Sequence, residues 1–159
     1  MEMRGAEMIE YHWKKFDELS AIDIFDMLKA RQDVFIIEQN CIYPDIDDLD
    51  KKSWHLLARR DGELVAYLRV VYPGYKYAEL SIGRVLTIEE VRGAGIGYHL
   101  VAEAIKNINQ IAENVAIRIS AQFHLQKFYD VFGFKSVSEP YDEDGILHIE
   151  MLRKSGVQF

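Results

Sequence analysis

The spacing of apolar residues predicts a strand and then a helix in the first third of the chain. Residues 9–16 alternate between apolar and polar positions, which is the period of a half-buried strand. Ser20 and Asp23 then have the spacing of a capping box, which predicts a helix that begins directly after Ser20. The apolar side of this helix is predicted to carry Ile24, Phe25, Leu28, Val34 and Phe35. The stretch that follows, as far as Lys52, is loop-like.

The middle of the chain carries three strand-like segments. Residues 54–60 and 63–72 are joined by Asp61-Gly62, a dipeptide that is typical of a two-residue hairpin turn. Residues 78–87 form the third segment. We expect it to run antiparallel to the second segment, across a turn at Pro73-Gly74.

The last third of the chain alternates helices and strands. A helix begins near Tyr98, and its apolar residues recur at helical spacing, so that one face packs on the sheet. A buried strand at 115–120, a short helix at 125–131 and a closing hairpin of 135–140 with 146–152 complete the pattern. The order of elements predicts an α/β (α+β) fold with a mixed, mostly antiparallel sheet of about seven strands and helices on both faces.

Length and composition predict one domain. A chain of 159 residues is within the usual size of a single domain and can bury roughly two-thirds of its unfolded surface. It has no low-complexity run, internal repeat or Pro/Gly/Ser-rich linker. We therefore expect one domain over 1–159, with 1–7 as a flexible N-terminal extension.

The charge distribution argues against nucleic acid as a partner. The 26 acidic residues outnumber the 19 basic ones, and the basic residues are dispersed rather than clustered with aromatic ones. The N-terminus lacks the apolar core of a signal peptide, and no apolar run approaches the length of a membrane span. The single cysteine, Cys41, cannot form an internal disulfide and is interpreted as a buried structural thiol rather than a nucleophile. We therefore expect a cytoplasmic protein that binds neither nucleic acid nor a membrane.

A run of acidic residues precedes the middle strands and has two interpretations. Asp45, Asp47, Asp48 and Asp50 would attract a cationic acceptor such as an amine, or they form a solvated loop. A calcium-binding loop of the EF-hand type is disfavoured, because the run lacks the central glycine and the glutamate at the twelfth position. No set of cysteines and histidines has the spacing of zinc ligands, so no metal site is predicted.

The run from Val91 to Gly97 is the most informative chemical feature of the sequence. Its three glycines allow a sharp turn in which consecutive N–H groups point into one concavity at the start of a helix, where they bind an anion. A Walker loop is excluded, because Tyr98 follows Gly97 where a lysine is required. A dinucleotide-binding loop is disfavoured, because the run lies mid-chain and only Glu113 offers an acid downstream. The run therefore predicts a phosphate-bearing ligand, with a ligand-free turn as the alternative.

A second segment follows the loop, and it carries Gln122, Leu125, Tyr129, Gly133 and Phe134 at fixed spacing. Together with Arg92-x-x-Gly95-x-Gly97, this segment resembles the GNAT acyltransferase superfamily. In that family an Arg/Gln-x-x-Gly-x-Gly/Ala loop binds the pyrophosphate of acetyl-coenzyme A, and the second segment supplies a tyrosine beside the thioester. Gln122 and Leu125 stand where the family usually has Asn and Ala.

The N-terminal third is similar to the ElaA-type branch of this superfamily. The similarity rests on Arg31-x-x-Val34-Phe35-x-x-Glu38-Gln39, Cys41-x-Tyr43-x-Asp45-x-Asp47, His55, Ala121-Gln122-x-His124 and Tyr141-x-Glu143-Asp144-Gly145-Ile146-x-His148. It extends over residues 11–151. Members of this branch are single-domain bacterial proteins classed as acetyltransferases, and their acceptors are generally unassigned.

The resemblance implies acetyl-coenzyme A (acetyl-CoA) as the acyl donor, with no metal. Its pyrophosphate would be bound by the loop residues Arg92, Gly93, Ala94, Gly95, Ile96 and Gly97. Its pantetheine arm would contact the main chain of Val85, Leu86 and Thr87 and the side chains of Gln122 and Phe128. The resemblance thus implies a donor and leaves the acceptor open.

The resemblance also implies direct attack of an amine on the thioester, which needs a base for the ammonium group and an acid for the thiolate. Tyr129 is the predicted acid, with a packed core aromatic as its alternative. Glu79 resembles in position the strand glutamate that acts as the base in histone-type members, and a solvent-facing glutamate is its alternative. His124 and His148 are rival bases. Together with Glu38, they are expected to line the acceptor pocket.

Three functions agree with the sequence. The first is an N-acetyltransferase that acts on an amine of a small molecule or peptide. The second is a longer-chain acyltransferase related to the homoserine-lactone synthases, which the segment from Arg31 to Phe35 resembles. The third is a non-catalytic acyl-CoA-binding module. Dimers are common among similar proteins, which leaves a homodimer open.

Overall fold

The computed structural model describes residues 8–157, and the predicted extension at 1–7 lies outside them. Within that range the chain forms eight strands and three α-helices. The strands are β1 (Glu10–Lys15), β2 (Ser53–Arg60), β3 (Glu63–Val71), β4 (Ser81–Thr87), β5 (Ile117–Gln122), β6 (Lys135–Ser136), β7 (Tyr141–Glu143) and β8 (Ile146–Arg153). The helices are α1 (Ala21–Arg31), α2 (Ile96–Ile111) and α3 (Gln126–Asp130). A π-helical segment, Gln32–Glu38, continues directly from α1.

The strands form two antiparallel sheets that are joined at one point. The first sheet contains β1, β2, β3 and β4 in chain order, and in the second sheet β8 pairs with β5, β6 and β7. A parallel bridge between Leu80 and Ile117 joins the sheets, and there the Arg118 N–H donates to the Leu80 carbonyl over 2.9 Å. The predicted mixed, mostly antiparallel sheet is confirmed, with eight strands instead of about seven.

Helices cover both faces of the first sheet, as predicted. Successive residues of a strand point to opposite faces. Leu56 and Leu68 therefore belong to the core cluster under α2, whereas Leu57 and Tyr67 belong to the cluster under α1. None of the helices between residues 8 and 157 combines the length and the apolar character that a membrane span requires.

The capping box of α1 is confirmed, but its predicted apolar side is partly wrong. The Ser20 Oγ accepts from the Asp23 N–H over 3.0 Å, and the Asp23 carboxylate accepts from the Ser20 N–H over 3.1 Å. Phe25 is 63% exposed, whereas Met27 and Arg31 are buried. The prediction placed only apolar residues against the sheet. Charged residues occupy this face as well, because their ionic partners lie on the neighbouring elements.

Several predicted boundaries shift in the structure. The strand β4 begins at Ser81 rather than at residue 78, and α2 begins at Ile96 rather than near Tyr98. The closing hairpin is formed by β7 and β8 around Asp144 and Gly145, which both have positive φ. The short strand β6 instead pairs with the far end of β8.

Three of the four residues of the acidic run, Asp45, Asp47 and Asp50, belong to a buried ionic network, which neither interpretation of the sequence anticipated, whereas Asp48 is exposed. The fully buried Arg31 donates to Asp45 over 2.9 Å and to Asp50 over 2.7 Å. Arg69, also buried, donates to Asp50 over 2.9 Å and to Asp47 over 2.6 Å. Buried charges are tolerated when they are paired and hydrogen-bonded in this way. These three carboxylates are therefore neutralised inside the fold and do not form a surface that attracts a cationic acceptor.

Candidate active site

A cleft separates β4 from β5, because the two strands diverge after a single bridge. Beyond the contact of Leu80 with Ile117, β4 pairs only with β3 and β5 pairs only with β8 in the described part of the chain. The opening has a volume of about 680 Å³. It is lined by both strands, the π-helical segment and the β7–β8 hairpin. Val85, Leu86 and Thr87, whose main chain was expected to contact the pantetheine arm, therefore lie on the edge of β4 that faces the cleft.

A bulge in β4 shapes one wall of the cleft. Arg69 is opposite Gly83 and Tyr67 is opposite Leu86, so β4 has one residue more than β3 over this interval. Arg84 absorbs the extra residue with a φ of 53°, and bulges of this kind are common beside active sites. The Arg84 guanidinium donates to Asp45, which connects the bulge to the buried ionic network.

The glycine-rich loop between β4 and α2 has the geometry of an anion site. Gly93 and Gly95 have φ of 91° and 77°, which is a backbone region that favours glycine. In the described residues, no backbone N–H from Gly93 to Tyr98 has an acceptor. A Cβ on Gly97 would lie 3.9 Å from the Phe128 ring, so this glycine allows α2 to begin close to α3. Free N–H groups at the start of a helix bind phosphate well.

Arg92, at the start of this loop, is engaged by the π-helical segment. Its guanidinium donates to the two Glu38 carboxylate oxygens over 2.5 and 3.0 Å. It also donates twice to the Thr87 carbonyl, over 3.2 and 2.9 Å. The hydrogen bonds from Arg92 hold the pKa of Glu38 below its ordinary value. Glu38 and Arg92 both line the cleft, so this ion pair connects its two walls.

Tyr129 lies in the core and also lines the cleft. Its side chain is 6% exposed and packs edge-on against Phe128 and Phe134, at centroid distances of 5.0 and 5.9 Å. Its hydroxyl has no hydrogen-bond partner among residues 8–157. Burial raises the pKa of Tyr129 above its ordinary value, so the phenol is neutral at physiological pH. Apolar packing therefore keeps a protonated hydroxyl donor at the wall of the cleft.

Glu79 is not brought into the cleft. It precedes β4, and its carboxylate accepts two hydrogen bonds of 3.0 Å from the Arg118 guanidinium. The hydrogen bonds from Arg118 hold the pKa of Glu79 below its ordinary value. Because a base must reach the proton that it removes, the structure gives no support to the expected role of Glu79.

His148, one of the two rival bases, is brought into the cleft. It is on β8, nine-tenths buried, and it lines the cleft. Its Nδ1 lies 2.7 Å from the Ile146 carbonyl, which fixes Nδ1 as the protonated nitrogen when the ring is neutral. Its Nε2 lies 3.2 Å from a carboxylate oxygen of Glu143. The ring therefore directs its second nitrogen toward a carboxylate at the wall of the cleft.

The structure brings most of the predicted site residues together. Those that line the cleft are Glu38, Val85, Leu86, Thr87, Arg92, Gln122, His124, Tyr129 and His148. The loop from Gly93 to Gly97 extends beyond the cleft lining, and Phe128 does not line the cleft but packs edge-on against Tyr129. Gln122 donates to the Gln39 side chain over 3.3 Å, which joins β5 to the segment after the π-helix.

Several residues of the cleft, among them Arg84 and Glu143, were not predicted as site residues, although the sequence contains patterns that indicate their positions. Gly83 within a strand pattern indicates a bulge, and the bulge positions Arg84. The Asp144-Gly145 turn fixes the hairpin register that pairs Tyr141 with His148 and brings Glu143 close to the histidine. Cys41 is buried, as predicted, and its thiol donates to the Asp144 carbonyl. No group of three or more side chains suited to holding a metal ion occurs in the described range.

Known proteins match this chain over nearly its full length. A UPF0039 protein of Synechocystis is 46% identical over 145 residues, which cover 91% of this chain and 94% of that protein. Protein ElaA of Escherichia coli is 39% identical over 149 residues, with 92% and 97% coverage. The crystal structure of E. coli ElaA matches with a TM-score of 0.87, at 38% identity over 92% of this chain and all of the other.

A second solved structure agrees equally well. An acyl-CoA N-acyltransferase from Pseudomonas aeruginosa matches with a TM-score of 0.87, at 37% identity over 91% of this chain and 99% of the other. The sequence pattern of the acetyltransferase (GNAT) domain matches residues 26–155, which include the cleft, the loop and Tyr129. The chain therefore belongs to the GNAT acetyltransferase family, in the branch that contains ElaA.

Proposed function

We propose that this protein transfers an acetyl group from acetyl-CoA to an amine of a small molecule or peptide, by direct attack of the amine on the thioester. One observation carries the proposal. The cleft has an edge of β4 without a strand partner along its wall and the hydroxyl-bearing Tyr129 inside it, and the loop with unpaired N–H groups continues from the cleft residue Arg92. These are the groups that a pyrophosphate, a pantetheine arm and a thioester require.

The choice of donor is supported by the loop and by a structural neighbour. The loop offers consecutive N–H donors from Gly93 onward, which suits a pyrophosphate. A GNAT acetyltransferase from Elizabethkingia anophelis, which shares the fold at 17% identity and a TM-score of 0.62, contains bound acetyl-CoA. The edge of β4 at Val85–Thr87 has no strand partner on the cleft side within the described residues. The Thr87 carbonyl accepts from Arg92, so the remaining main-chain groups of this edge are proposed to bind the amides of the pantetheine arm.

Tyr129 is proposed to stabilise the leaving thiolate. Burial raises the pKa of this phenol above about 10, whereas an ordinary thiol has a pKa of about 8.5. Complete transfer of the proton from the phenol to the thiolate is therefore uphill. The group acts instead as a hydrogen-bond donor that is in place before the charge develops. Tyr129 is thus proposed to assist the leaving thiolate, as expected from the sequence. It does so as a neutral hydrogen-bond donor and not by giving up its proton.

His148 is proposed as the base, in place of Glu79. The hydrogen bond from Nδ1 to the Ile146 carbonyl leaves Nε2 of the neutral ring as the proton acceptor. The Glu143 carboxylate, 3.2 Å from Nε2, would stabilise the imidazolium that forms when an ammonium group loses its proton. Glu38 and His124 line the same cleft and are proposed to contact the acceptor.

Calorimetric titration with acetyl-CoA tests the donor site. Wild-type protein is expected to bind acetyl-CoA, and Gly95→Glu is expected to abolish binding, because a carboxylate in the loop occupies and repels the phosphate position. Gly74→Glu is the matched control. Gly74 also has positive φ and open space around it, but it lies in the turn at the opposite end of β4.

The Gly74→Glu control distinguishes loss of acetyl-CoA binding through damage to the loop from loss through general backbone strain. If both glutamate variants fold and only Gly95→Glu fails to bind, the loop is the donor site. Absence of binding to folded wild-type protein would contradict the proposed function.

A cytoplasmic location, a single domain over 1–159 and a homodimer stay predictions.

A further inference from the structure

Arg92 has two roles that conflict. The proposed function needs its charge beside the pyrophosphate at the start of the loop. In the structure its guanidinium instead makes four hydrogen bonds, two to the Glu38 carboxylate and two to the Thr87 carbonyl. A guanidinium has five N–H donors, so one is left for any further acceptor.

A phosphate beside Arg92 would also meet the Glu38 carboxylate. That carboxylate accepts from both terminal nitrogens of the guanidinium, which is the paired geometry that a phosphate would use. Two anions that share one cation repel each other, and Glu89 and Glu90 add further negative charge near Arg92. The carboxylate and the phosphate therefore compete for the same face of the guanidinium.

We infer that Glu38 is a specificity-determining residue of the donor site, which the donor pyrophosphate must displace from Arg92. This inference rests on the proposed function. The Glu38 carboxylate that pairs with Arg92 prevents weak anions from binding to the guanidinium. A pyrophosphate gains the free N–H groups of the loop at the same time, so it can displace the carboxylate where a single weak anion cannot.

The displacement also acts on the other wall of the cleft. Glu38 is the last residue of the π-helical segment, and Val34 and Phe35 of the same segment line the cleft. The exposed ion pair with Arg92 ties the end of this segment to the loop. Donor binding thus releases the end of the segment and leaves its carboxylate without a cationic partner beside the donor.

A double-mutant cycle on acetyl-CoA binding tests the competition. The dissociation constants of wild type, Glu38→Gln, Arg92→Met and the double variant are measured by calorimetry. Glu38→Gln is expected to bind acetyl-CoA about three- to fivefold more tightly than wild type, since an exposed ion pair of ordinary strength no longer has to be broken. In the Arg92→Met background, Glu38→Gln is expected to change the dissociation constant only by the small amount that removal of one nearby negative charge causes.

Glu89→Gln measures the effect of lost charge alone. Glu89 is an exposed residue near Arg92, and within the described residues its carboxylate makes no hydrogen bond to the Arg92 guanidinium; only the Arg92 backbone N–H donates to the Glu89 carbonyl, which the substitution leaves in place. We expect this variant to change the dissociation constant by less than about twofold. Dephospho-CoA, which keeps the pyrophosphate and lacks the 3′-phosphate, should show the full effect of Glu38→Gln.

The outcomes are distinct. Unchanged or weaker binding by Glu38→Gln would overturn the inference, and so would an equal gain in the Arg92→Met background or from Glu89→Gln. Loss of the effect with dephospho-CoA would assign the competition to the 3′-phosphate and overturn the inference for the pyrophosphate. Failure of folded wild type and all variants to bind acetyl-CoA would instead contradict the proposed function itself.

Discussion

At the scale of single residues, Tyr129 distinguishes a catalyst from a binding module. Tyr129→Phe removes one hydroxyl that has no partner in the described structure and leaves the packing against Phe128 and Phe134 in place. We expect acetyl transfer to fall by about 10²- to 10³-fold, which is the usual cost of losing one donor at a developing negative charge. Acetyl-CoA affinity should change by less than about threefold.

Tyr98→Phe is the matched control for this prediction. Tyr98 is a half-exposed residue of α2 that does not line the cleft. Release of free CoA in the presence of an amine panel gives the rate, and calorimetry gives the affinity. Equal rates for wild type, Tyr98→Phe and Tyr129→Phe would show that the Tyr129 hydroxyl takes no part in the chemistry.

The sequence predicted individual site residues where the chemistry needs a particular backbone conformation or side chain at fixed spacing. The loop glycines and Tyr129 are of this kind. It did not predict the partners of Glu79 and Glu38, because Arg118 lies 39 residues from Glu79 and Arg92 lies 54 residues from Glu38. Local spacing carries no information about which arginine a carboxylate meets after folding.

At the scale of elements, the capping box of Ser20 and Asp23 determines where α1 begins. The reciprocal hydrogen bonds of Ser20 and Asp23 satisfy two backbone donors at the start of α1, and α1 continues into the π-helical wall of the cleft. We expect Ser20→Ala to lower the free energy of unfolding by about 1 kcal/mol. Ser155→Ala, at an exposed position beyond β8, should change it by less than about 0.5 kcal/mol. Urea unfolding measures both, and equal midpoints would contradict the role of the cap.

Elements were predicted well where a local signal decides them. The Asp61-Gly62 turn and the capping box each act within a few residues, and both are present. The face of α1 and the π-helical continuation were not predicted. Burial of Arg31 in place of Phe25 depends on the distant carboxylates of Asp45 and Asp50, which a helical period cannot include.

At the scale of the whole molecule, the buried ionic network ties α1, the loop after it, β3 and the β4 bulge into one unit. Asp50 accepts from both Arg31 and Arg69. Removing one partner of a buried ion pair leaves a charge without compensation, so Asp50→Asn should cost about 3–5 kcal/mol of stability. Asp48→Asn is the matched control in the same turn, because the Asp48 side chain is fully exposed. Its midpoint in urea should equal that of wild type, and a similar loss in both variants would contradict the importance of the network.

The same network makes the stability of the protein sensitive to acid. Burial opposes ionisation of Asp47 and Asp50, but hydrogen bonds and charge from the arginines outweigh it and hold the pKa of both below the ordinary value. A carboxylate whose pKa is lowered by folding stabilises the protein fully above its unfolded-state pKa of about 3.9, and this stabilisation is lost as the pH falls through the lower folded-state pKa. We therefore expect the contribution of the network to be constant between about pH 7 and pH 5 and to decline below about pH 4.

Urea unfolding over this range checks the sign and the origin of the effect. The free energy of unfolding of Asp47→Asn should fall less steeply below about pH 4 than that of wild type, because one of the linked carboxylates is absent. Asp47 is the better choice for this measurement, since its side chain is 33% exposed and the variant should keep its fold more readily than Asp50→Asn. Asp48→Asn should follow the wild-type curve. If Asp47→Asn has the wild-type slope, the acid sensitivity does not arise from this carboxylate.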